Sequence, residues 1–522
     1  MIFIPPPAAP AGGICEDVGQ KGGVPLETLS HRSRLPVRPG AEHDDPVPRG
    51  APEYPDAPPA PEESAAWSAL TINDETATAT AKLQRCGKTA EAAFTCPSAQ
   101  LTGGLVTDRL LQRILKQAFY QASLPLRDGP PPPWGALTGI RPAKLASRAL
   151  ESGQTEEETR NLFRNTYFVS PERTELALDA ARAGLAAKAS LEPDEISLYV
   201  GIPFCPTRCA YCSFVSADVK KALRLVEPYL AALLEEIAVC GPLLREAGVS
   251  LRTIYLGGGT PTTLSPDQLD RLLTGIEAHF DLSRLTEYTV EAGRPDTITA
   301  EKLAALAAHG VDRVSVNPQS MRDEVLAAMG RDHRAADILT AYRLVRDSGI
   351  PMVNMDLIAG LPRDDLPGFR YTLDTVLDLA PENVTVHTLA LKKGSRLMME
   401  RQGLPSGEET AAMLDYAWDR LRGGDYFPYY LYRQKYMSGA LENIGWCRPG
   451  CQGLYNICIM EELHTILALG GGGSTKLTDP ATGKIVRITN PKYPHVYLER
   501  LDRICADKAQ LVPFHQALLS RR

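Results

Sequence analysis

From Ile196 onwards, short apolar runs alternate with longer amphipathic stretches, and this alternation restricts the possible folds more than any other feature of the chain. Each apolar run has the length of a buried strand, and each amphipathic stretch has apolar residues at helical spacing. Strands that alternate with helices pair in parallel through right-handed crossovers. The predicted strands are 196–202, 253–256, 288–291, 313–316, 353–358 and 384–388. The predicted helices between them are 226–239, 266–279, 301–309, 334–347 and 368–379.

Six such units occupy the 193 residues from Ile196 to Thr388. A closed barrel of eight units needs about 250 residues. The alternation therefore predicts an α/β fold with an incomplete (β/α)6 barrel that is open along one side. A doubly wound open sheet is the alternative, because the alternation alone does not define the order of the strands.

Proline content marks the first domain boundary. Of the 42 prolines, 14 precede Ser64, and the same segment has few large apolar residues. Because such a segment cannot offset its own ordering entropy, we expect residues 1–66 to be a disordered, Pro-rich tail. A solvated tail is favoured over a polyproline recognition segment.

The rest of the chain divides into three predicted domains. Residues 67–190 are assigned to a small N-terminal α+β domain, with a Thr-rich strand or hairpin at 69–83 and a helix at 106–123. Residues 191–393 contain the partial barrel. The alternation ends there, and residues 394–522 are assigned to a mostly helical C-terminal domain.

Composition excludes several classes of protein. The chain has 56 Lys and Arg against 63 Asp and Glu, a net charge of −7, which argues against a nucleic-acid binder. No run approaches the roughly 18 apolar residues of a membrane span, and the first residues lack the basic region of a signal peptide. Eleven cysteines, an odd number, argue against a disulfide framework. We therefore expect a cytoplasmic protein with no membrane span.

Three cysteines form the strongest motif. Cys205, Cys209 and Cys212 follow a C-x3-C-x2-C spacing directly after the first predicted strand, where barrel enzymes place reactive groups. Three thiolates hold three irons of a [4Fe–4S] cube and leave the fourth iron open to a small chelating molecule. A zinc site or inert thiols are the alternatives, but structural zinc takes four protein ligands and no fourth lies nearby in the sequence.

Glycines and charged residues follow the later strands. The run Gly257–Thr262 follows the second strand, and its glycines allow the backbone to approach a ligand closely. A phosphate-binding loop is the alternative, although no Lys follows as in a P-loop. Four further residues lie at or after strand ends, where carboxylates and Arg bind polar ligands or make ordinary hydrogen bonds. These are Glu291, Gln319, Arg331 and Asp356.

The cysteine motif resembles that of the radical S-adenosylmethionine (SAM) enzymes, and longer runs resemble the oxygen-independent coproporphyrinogen III oxidase family. The family runs are 199–205, 257–262, 319–321 and 356–362. Further runs are similar to the coproporphyrinogen dehydrogenase, HemZ-type branch of that family. They are 134–142, 291–297, 429–435, 441–445 and 453–456.

The resemblance implies a fold, two cofactors and a set of site residues. Cys205, Cys209 and Cys212 are implied to ligate a [4Fe–4S] cluster whose open iron binds SAM. The implied SAM contacts are Tyr199, Tyr211, Gly258, Gly259, Thr260, Glu291, Gln319, Arg331, Asp356 and Thr388.

The implied reaction is the oxidative decarboxylation of two propionates of coproporphyrinogen III to vinyl groups, initiated by a 5′-deoxyadenosyl radical. The implied partners are this tetrapyrrole and a one-electron donor of the flavodoxin or ferredoxin type. Because the substrate has four carboxylates, cations are expected around it. The candidates are Arg294, Arg433 and Lys435.

One position departs from the family's oxidases. Those enzymes have an extra cysteine two residues after the third ligand, and Phe214 occupies that position here. A phenylalanine there is shared with the haem-binding chaperones of the family. The sequence therefore leaves a haem-binding and haem-transfer protein as a second hypothesis, and a different radical reaction on a tetrapyrrole as a third.

The remaining motifs have weaker interpretations. Cys447, Cys451 and Cys458 have a C-x3-C-x6-C spacing, and incidental thiols are favoured over a second cluster or metal. His464 is expected to be a hydrogen-bonded core residue. The run Gly470–Gly473 is either an active-site loop or a flexible turn.

Overall fold

The computed structural model describes residues 29–34, 65–212, 217–391, 395, 397, 403–434 and 437–521. The described residues divide into two compact units. The first lies within Met1–Thr138 and Asn161–Pro171, and the second within Gly139–Arg160 and Glu172–Arg522. The predicted N-terminal domain of 67–190 is therefore shared between the two units.

The first unit contains an antiparallel sheet and a helix that packs on it. Its strands, in the spatial order β1-β2-β3-β4, are β1 (Leu29–Arg34), β2 (Ala65–Ile72), β3 (Thr76–Arg85) and β4 (Lys88–Pro97). Ala77, Ala79 and Ala81 alternate with threonines and are fully buried, as expected for a strand with one solvated face. They lie in clusters with apolar residues of the Gly104–Ser123 helix, including Ile114.

The predicted hairpin and helix of this unit are confirmed. The hairpin turns at Asn73, whose Oδ1 accepts hydrogen bonds from the backbone N–H groups of Glu75 and Thr76 at 3.0 and 2.7 Å. The structure differs from the predicted disordered tail at Leu29–Arg34, which is a strand. Backbone hydrogen bonds to β2 stabilise this strand without a need for apolar side chains. The rest of the tail lies outside the described residues.

Among its described residues, the second unit is built around one sheet of eleven strands. Its spatial order is β13-β14-β12-β11-β10-β9-β8-β5-β15-β16-β17, and β6 pairs with β7 in a separate two-stranded sheet. The strands are β5 (Glu195–Ile202), β6 (Phe204–Cys205), β7 (Ala217–Asp218), β8 (Ser250–Gly258), β9 (Glu287–Val290), β10 (Arg313–Ser315), β11 (Met352–Ala359), β12 (Asn383–Thr388), β13 (Phe427–Tyr432), β14 (Asn443–Cys447), β15 (Ile466–Gly470), β16 (Ser474–Asp479) and β17 (Lys484–Thr489).

Six parallel strands form the partial barrel that the alternation predicts. Strands β5, β8, β9, β10, β11 and β12 are parallel neighbours in chain order. A doubly wound sheet would reverse direction at a switch point, and this order has no reversal, so that alternative is wrong. Most residues of β5 and β8 are buried, as expected for strands covered on both faces.

Residues after Lys393 are of mixed helix and strand, and their strands extend the barrel sheet. Strands β14 and β13 add to β12 in antiparallel pairing, while β15 pairs in parallel with β5. The expected boundary at 393 therefore does not separate two compact units. These strands are short and lie between loops rich in glycine and aromatic residues, so their periodicity is weak in the sequence.

Helices connect the strands at the predicted places. The Pro266–His279 helix begins with a capping box between Ser265 and Gln268. No helix of the described residues is long and apolar enough to cross a membrane. The helices are Gly104–Ser123, Pro142–Glu151, Glu156–Asn161, Pro171–Ala189, Val219–Ala247, Pro266–His279, Ala300–Ala308, Asp323–Ala328, Ala335–Asp347, Leu366–Asp378, Gly407–Gly423, Leu454–Glu461, Pro494–Glu499, Leu501–Lys508 and Leu511–Leu519.

Candidate functional site

The cysteine loop follows β5 at the carboxyl end of the parallel strands. Cys205, Cys209 and Cys212 are each partly exposed within a folded loop. The loop is held from the far side of the barrel, because the backbone N–H of Ala210 donates to the carbonyl of Met329 at 2.9 Å. The site is thus assembled from segments that follow different strands, as in barrel enzymes generally.

The glycine run after β8 supports the cysteine loop directly. The backbone N–H groups of Gly259 and Thr260 donate to the carbonyls of Ile202 and Phe204 at 2.8 and 2.7 Å. A Cβ atom on Gly259 would lie 2.4 Å from the Phe204 carbonyl oxygen, so only glycine permits this approach. The Thr260 hydroxyl donates to Cys205 Sγ at 3.5 Å.

Arg294 lies on the cysteine loop, although the sequence suggested a substrate contact. Its Nη1 lies 3.1 Å from Thr207 Oγ1 and 3.8 Å from Cys209 Sγ. Its Nε and Nη2 donate to the two carboxylate oxygens of Asp296 at 3.0 and 3.2 Å. The pKa of Asp296 is lowered, because hydrogen bonds and charge from His333 and Arg294 outweigh the opposing effect of burial.

Arg331 and Tyr211 meet beside the third cysteine. Arg331 Nη2 donates to the Tyr211 hydroxyl at 3.2 Å, and its Nη1 donates to the Asn317 carbonyl at 2.8 Å. Burial acts to lower the pKa of Arg331, but Tyr211 and Cys209 outweigh it and raise the pKa. A buried cation therefore stands beside Tyr211 and Cys209 of the cysteine loop.

Glu291, Tyr255 and Tyr199 form a polar and aromatic cluster on the first three strands of the barrel. The Tyr255 hydroxyl donates to Glu291 Oε1 at 2.5 Å, and the rings of Tyr199 and Tyr255 stack with centroids 6.3 Å apart. Burial raises the pKa of Glu291 to about 7, against the hydrogen bond from Tyr255. Gly257 leaves room for this carboxylate, because a Cβ atom there would lie 2.9 Å from Glu291 Oε2.

Asp356 and Gln319 connect the next strands of the barrel. The backbone N–H of Gln319 donates to the Asp356 carbonyl at 2.9 Å, and Gln319 has a left-handed backbone with φ of 65°. Asn354 Nδ2 donates to Asp356 Oδ1 at 2.7 Å, and His387 Nε2 lies 3.7 Å from Asp356 Oδ2. Although burial acts to raise it, the pKa of Asp356 is lowered by His387 and Asn354.

The Gln319 side chain has an acceptor atom that the described residues leave without a hydrogen bond. Its side-chain Oε1 is buried and has no hydrogen-bond partner among the described residues. A buried acceptor without a partner costs free energy unless a ligand or water supplies a donor. The same is true of Asn317 Oδ1. These two atoms are consistent with a polar ligand beside β10 and β11.

Two predicted residues, Thr388 and Arg433, make hydrogen bonds to residues outside this group. The Thr388 hydroxyl donates to the Glu442 carbonyl at 2.7 Å and so joins β12 to the segment before β14. Arg433 is 7% exposed, and its Nη2 donates to the Ala440 carbonyl at 2.7 Å. Burial lowers the pKa of Arg433 to about 10. Lys435 lies outside the described residues.

The donor set fits a [4Fe–4S] cluster. Three cysteine thiols lie in one loop, and two of their sulfurs accept hydrogen bonds from Thr260 and Arg294. Among residues that the structure describes, no three His, Cys, Asp or Glu side chains converge on a single ion. A cubane binds each thiolate at a different iron, so its ligands need not converge on one point.

Sequence reasoning missed several residues of the site. Tyr255, Asp296, His333 and His387 each contact a predicted site residue. Tyr255 had a signal in the sequence, because Tyr255-Leu256-Gly257 repeats the pattern of Tyr199-Val200-Gly201 in the preceding barrel strand. His387 had none, because only the pairing of β11 with β12 brings it beside Asp356.

The weaker motifs have structural roles. His464 is buried and its Nε2 lies 2.8 Å from Ser197 Oγ, so the expectation of a hydrogen-bonded core residue is confirmed. Gly470 ends β15, and its N–H donates to the buried carboxylate of Glu236 at 2.7 Å. Cys447 and Cys458 are buried thiols, and burial raises the pKa of both.

Comparisons with known proteins agree with this geometry. The model of the radical SAM superfamily matches residues 199–372. The oxygen-independent coproporphyrinogen-III oxidase-like protein HemZ of Bacillus subtilis is 42% identical over 382 residues, which cover 72% of this chain and 76% of the relative. The heme chaperone HemW of Escherichia coli is 28% identical over 304 residues, which cover 58% of this chain and 76% of the relative.

A solved structure is also similar. Coproporphyrinogen III oxidase (HemN) from Escherichia coli aligns with a TM-score of 0.48 at 22% identity, covering 65% of this chain and 81% of that chain. The superfamily model spans the cysteine loop and four of the six barrel strands from β8 to β11. The superfamily uses a [4Fe–4S] cluster and SAM, and these are the cofactors of this chain. The identity to HemZ over most of both chains shows that this chain belongs to the oxygen-independent coproporphyrinogen III oxidase-like family of radical SAM proteins.

Proposed function

We propose that this protein is a radical SAM enzyme that oxidatively decarboxylates coproporphyrinogen III to protoporphyrinogen IX. The observation that carries the proposal is the 42% identity to the HemZ oxidase-like protein, which extends over 72% of the chain. A match of that length includes much of the chain beyond the 174 residues of the superfamily match at 199–372. In a radical SAM protein, the region outside the shared barrel adapts the common cofactor chemistry to one substrate.

The cysteine loop holds the cluster in this proposal. Cys205, Cys209 and Cys212 are the protein ligands, and Thr260 and Arg294 donate to two of their sulfurs. When bound, the cluster and SAM supply the radical that removes a hydrogen atom from a substrate propionate. The protein contributes position and charge, as cofactor enzymes generally do.

The residues around the barrel opening hold SAM in this proposal. Backbone groups of Gly258 and Gly259, together with the carboxylates of Glu291 and Asp356, are the groups that would accept from the ammonium and ribose of SAM. The remaining proposed contacts are Tyr199, Tyr211, Thr260, Gln319, Arg331 and Thr388. A positive ammonium beside Glu291 would bring its pKa down from about 7, so binding and deprotonation of this carboxyl favour each other.

Arg294 is less suited to a substrate contact than Arg433 and Lys435 in this proposal. Every guanidinium nitrogen of Arg294 has a partner in Asp296 or the cysteine loop, so a substrate carboxylate would have to displace one of them. Arg433 and Lys435 remain the proposed cations for the propionates. The electron comes from a low-potential donor of the flavodoxin or ferredoxin type, and the reaction takes place in the cytoplasm.

A haem-binding and haem-transfer protein is the second candidate. Phe214 favours it, because the family's chaperones share this residue. The HemW chaperone of Bacillus subtilis is also similar, with 34% identity over 230 residues that cover 43% of this chain and 59% of the relative. This match covers a smaller part of the chain than the match to HemZ, and we therefore prefer the enzyme.

An anaerobic assay separates these functions. The reconstituted protein receives SAM, a reductant and coproporphyrinogen III, and the tetrapyrroles are analysed by mass. The enzyme proposal expects loss of two CO₂ per substrate and formation of 5′-deoxyadenosine, neither of which occurs with Cys205→Ala. Stoichiometric haem binding with no decarboxylated product would overturn it in favour of the chaperone. Formation of 5′-deoxyadenosine without loss of CO₂ would indicate a different radical reaction.

A further inference from the structure

We infer that Arg294 is a positioning residue for the cluster, which holds the cysteine loop and stabilises the reduced state through a hydrogen bond to Cys209. This inference rests on the proposed ligand set. It replaces the expectation that Arg294 binds a substrate carboxylate. It also gives a role to the Arg294-Pro295-Asp296 segment after β9. Sequence similarity alone does not explain why these residues are present.

The contacts of Arg294 with the loop are specific. Nη1 donates to Thr207 Oγ1 at 3.1 Å and reaches the Thr207 carbonyl at 3.4 Å. The same atom lies 3.8 Å from Cys209 Sγ, within hydrogen-bonding distance for sulfur. One nitrogen thus fixes both the backbone and the sulfur of the segment that separates the first two cysteines.

Asp296 orients the guanidinium. The carboxylate accepts from both Nε and Nη2, which is the bidentate geometry that fixes the plane of an Arg side chain. His333 Nδ1 lies 3.6 Å from Asp296 Oδ1 and supports the carboxylate from the segment after β10. Arg294 is 4% exposed, so its charge is weakly screened by water.

The expected consequence is electrostatic. The reduction potential of an iron–sulfur cluster depends on net charge and on hydrogen bonds to its sulfurs. A donor at Cys209 stabilises the state with the additional electron, and therefore raises the potential. Because this hydrogen bond is stronger to the more negative reduced cluster, its loss should lower the ratio of reduced to oxidised cluster at a fixed potential by roughly tenfold. Tenfold corresponds to about 59 mV for a one-electron couple.

The test is a potentiometric titration of the reconstituted full-length protein, followed by electron paramagnetic resonance. Arg294→Met removes the donors at similar length, and Arg294→Lys retains one charged donor. Arg346→Met is the matched control, because Arg346 makes a similar two-oxygen contact with Glu382 and none of its contacts involves the cysteine loop. Iron content is measured for each variant before the titration.

The expected result is a more negative potential for Arg294→Met, a smaller shift for Arg294→Lys, and no shift for Arg346→Met. Unchanged potential in an iron-loaded Arg294→Met protein would overturn the inference. If Arg294→Met holds no iron, Arg294→Lys alone decides: a negative shift supports the inference and an unshifted potential overturns it. Failure of the wild-type protein to bind a cluster would instead overturn the proposed ligand set.

Discussion

The Tyr255 hydroxyl donates a hydrogen bond to Glu291 Oε1 over 2.5 Å, joining β8 to the residue that directly follows the neighbouring strand β9. This carboxyl is only partly exposed, and burial raises its pKa from 4.5 to about 7. The site therefore contains an acidic group that titrates near neutral pH. Groups with strongly shifted pKa values are concentrated at functional sites. The pKa that suits binding or catalysis often differs from the pKa that would best stabilise the fold.

Glu291 should make the stability of the unliganded protein depend on pH. The folded state binds the Glu291 proton more tightly than the unfolded state, so its contribution is present below pH 4.5 and is lost as pH rises through about 7. The shift corresponds to roughly 3 kcal/mol. We expect Glu291→Gln to raise the free energy of unfolding, measured by urea denaturation, more at pH 8 than at pH 5.

A control and a ligand measurement complete this test. Glu235→Gln, at an exposed position of the Val219–Ala247 helix, should change the free energy of unfolding by less than about 0.5 kcal/mol at both pH values. Glu291→Gln should also weaken SAM binding to the reconstituted protein. An equal effect of Glu291→Gln at pH 5 and pH 8 would contradict the raised pKa.

Glu236 should stabilise the whole second unit through the turn after β15. Its buried carboxylate accepts from the Gly470 N–H at 2.7 Å and the Tyr497 hydroxyl at 2.6 Å, and Lys508 Nζ lies 3.4 Å away. Removing one partner leaves a buried charge uncompensated, which costs about 3–5 kcal/mol. We expect Glu236→Leu to lower the free energy of unfolding by this amount in urea denaturation.

The double variant separates charge from packing. Glu236→Leu with Lys508→Met removes both buried charges, so it should be less destabilised than the sum of the two single variants. An additive double variant would show that the ion pair is not the source of the effect. Glu236→Asp keeps the negative charge, but its shorter side chain does not reach both Gly470 and Tyr497. We therefore expect Glu236→Asp to be less stable than the wild-type protein.

The sequence predicted the fold better than the site. All six barrel strands lie where the apolar runs placed them, because a strand buried on both faces has a strong apolar signal. Strands β13 to β17 were missed, since each is stabilised mainly by its pairing with the barrel sheet. The three proposed cysteine ligands rest on the spacing of the motif, its position after the first strand and the family resemblance. Arg294 was assigned to the substrate, because nothing in the sequence reveals that Asp296 turns its guanidinium toward Thr207 and Cys209.

Gly259→Ala should displace the cysteine loop. A Cβ atom at Gly259 would lie 2.4 Å from the carbonyl oxygen of Phe204, which is backbone and cannot move without the loop. Overpacking of this kind costs about 1–3 kcal/mol, and iron content after reconstitution should fall. Gly423→Ala is the matched control, because open space surrounds Gly423 and its backbone is not left-handed. Full iron content in Gly259→Ala would contradict the proposed support of the loop.

Iron binding should depend on three cysteines and not on the others. Cys205→Ala, Cys209→Ala and Cys212→Ala each remove one thiolate, and we expect loss of the 4Fe–4S absorbance and of SAM cleavage. Cys447→Ala and Cys458→Ala are matched controls, because these thiols are buried and have raised pKa values that disfavour the metal-binding thiolate. They should retain about four irons per chain, as the single cluster requires. A loss of half the iron in Cys447→Ala would instead show a second cluster. Iron bound undiminished in Cys205→Ala would refute the assigned ligand, because no cubane can lose a corner thiolate without weaker binding.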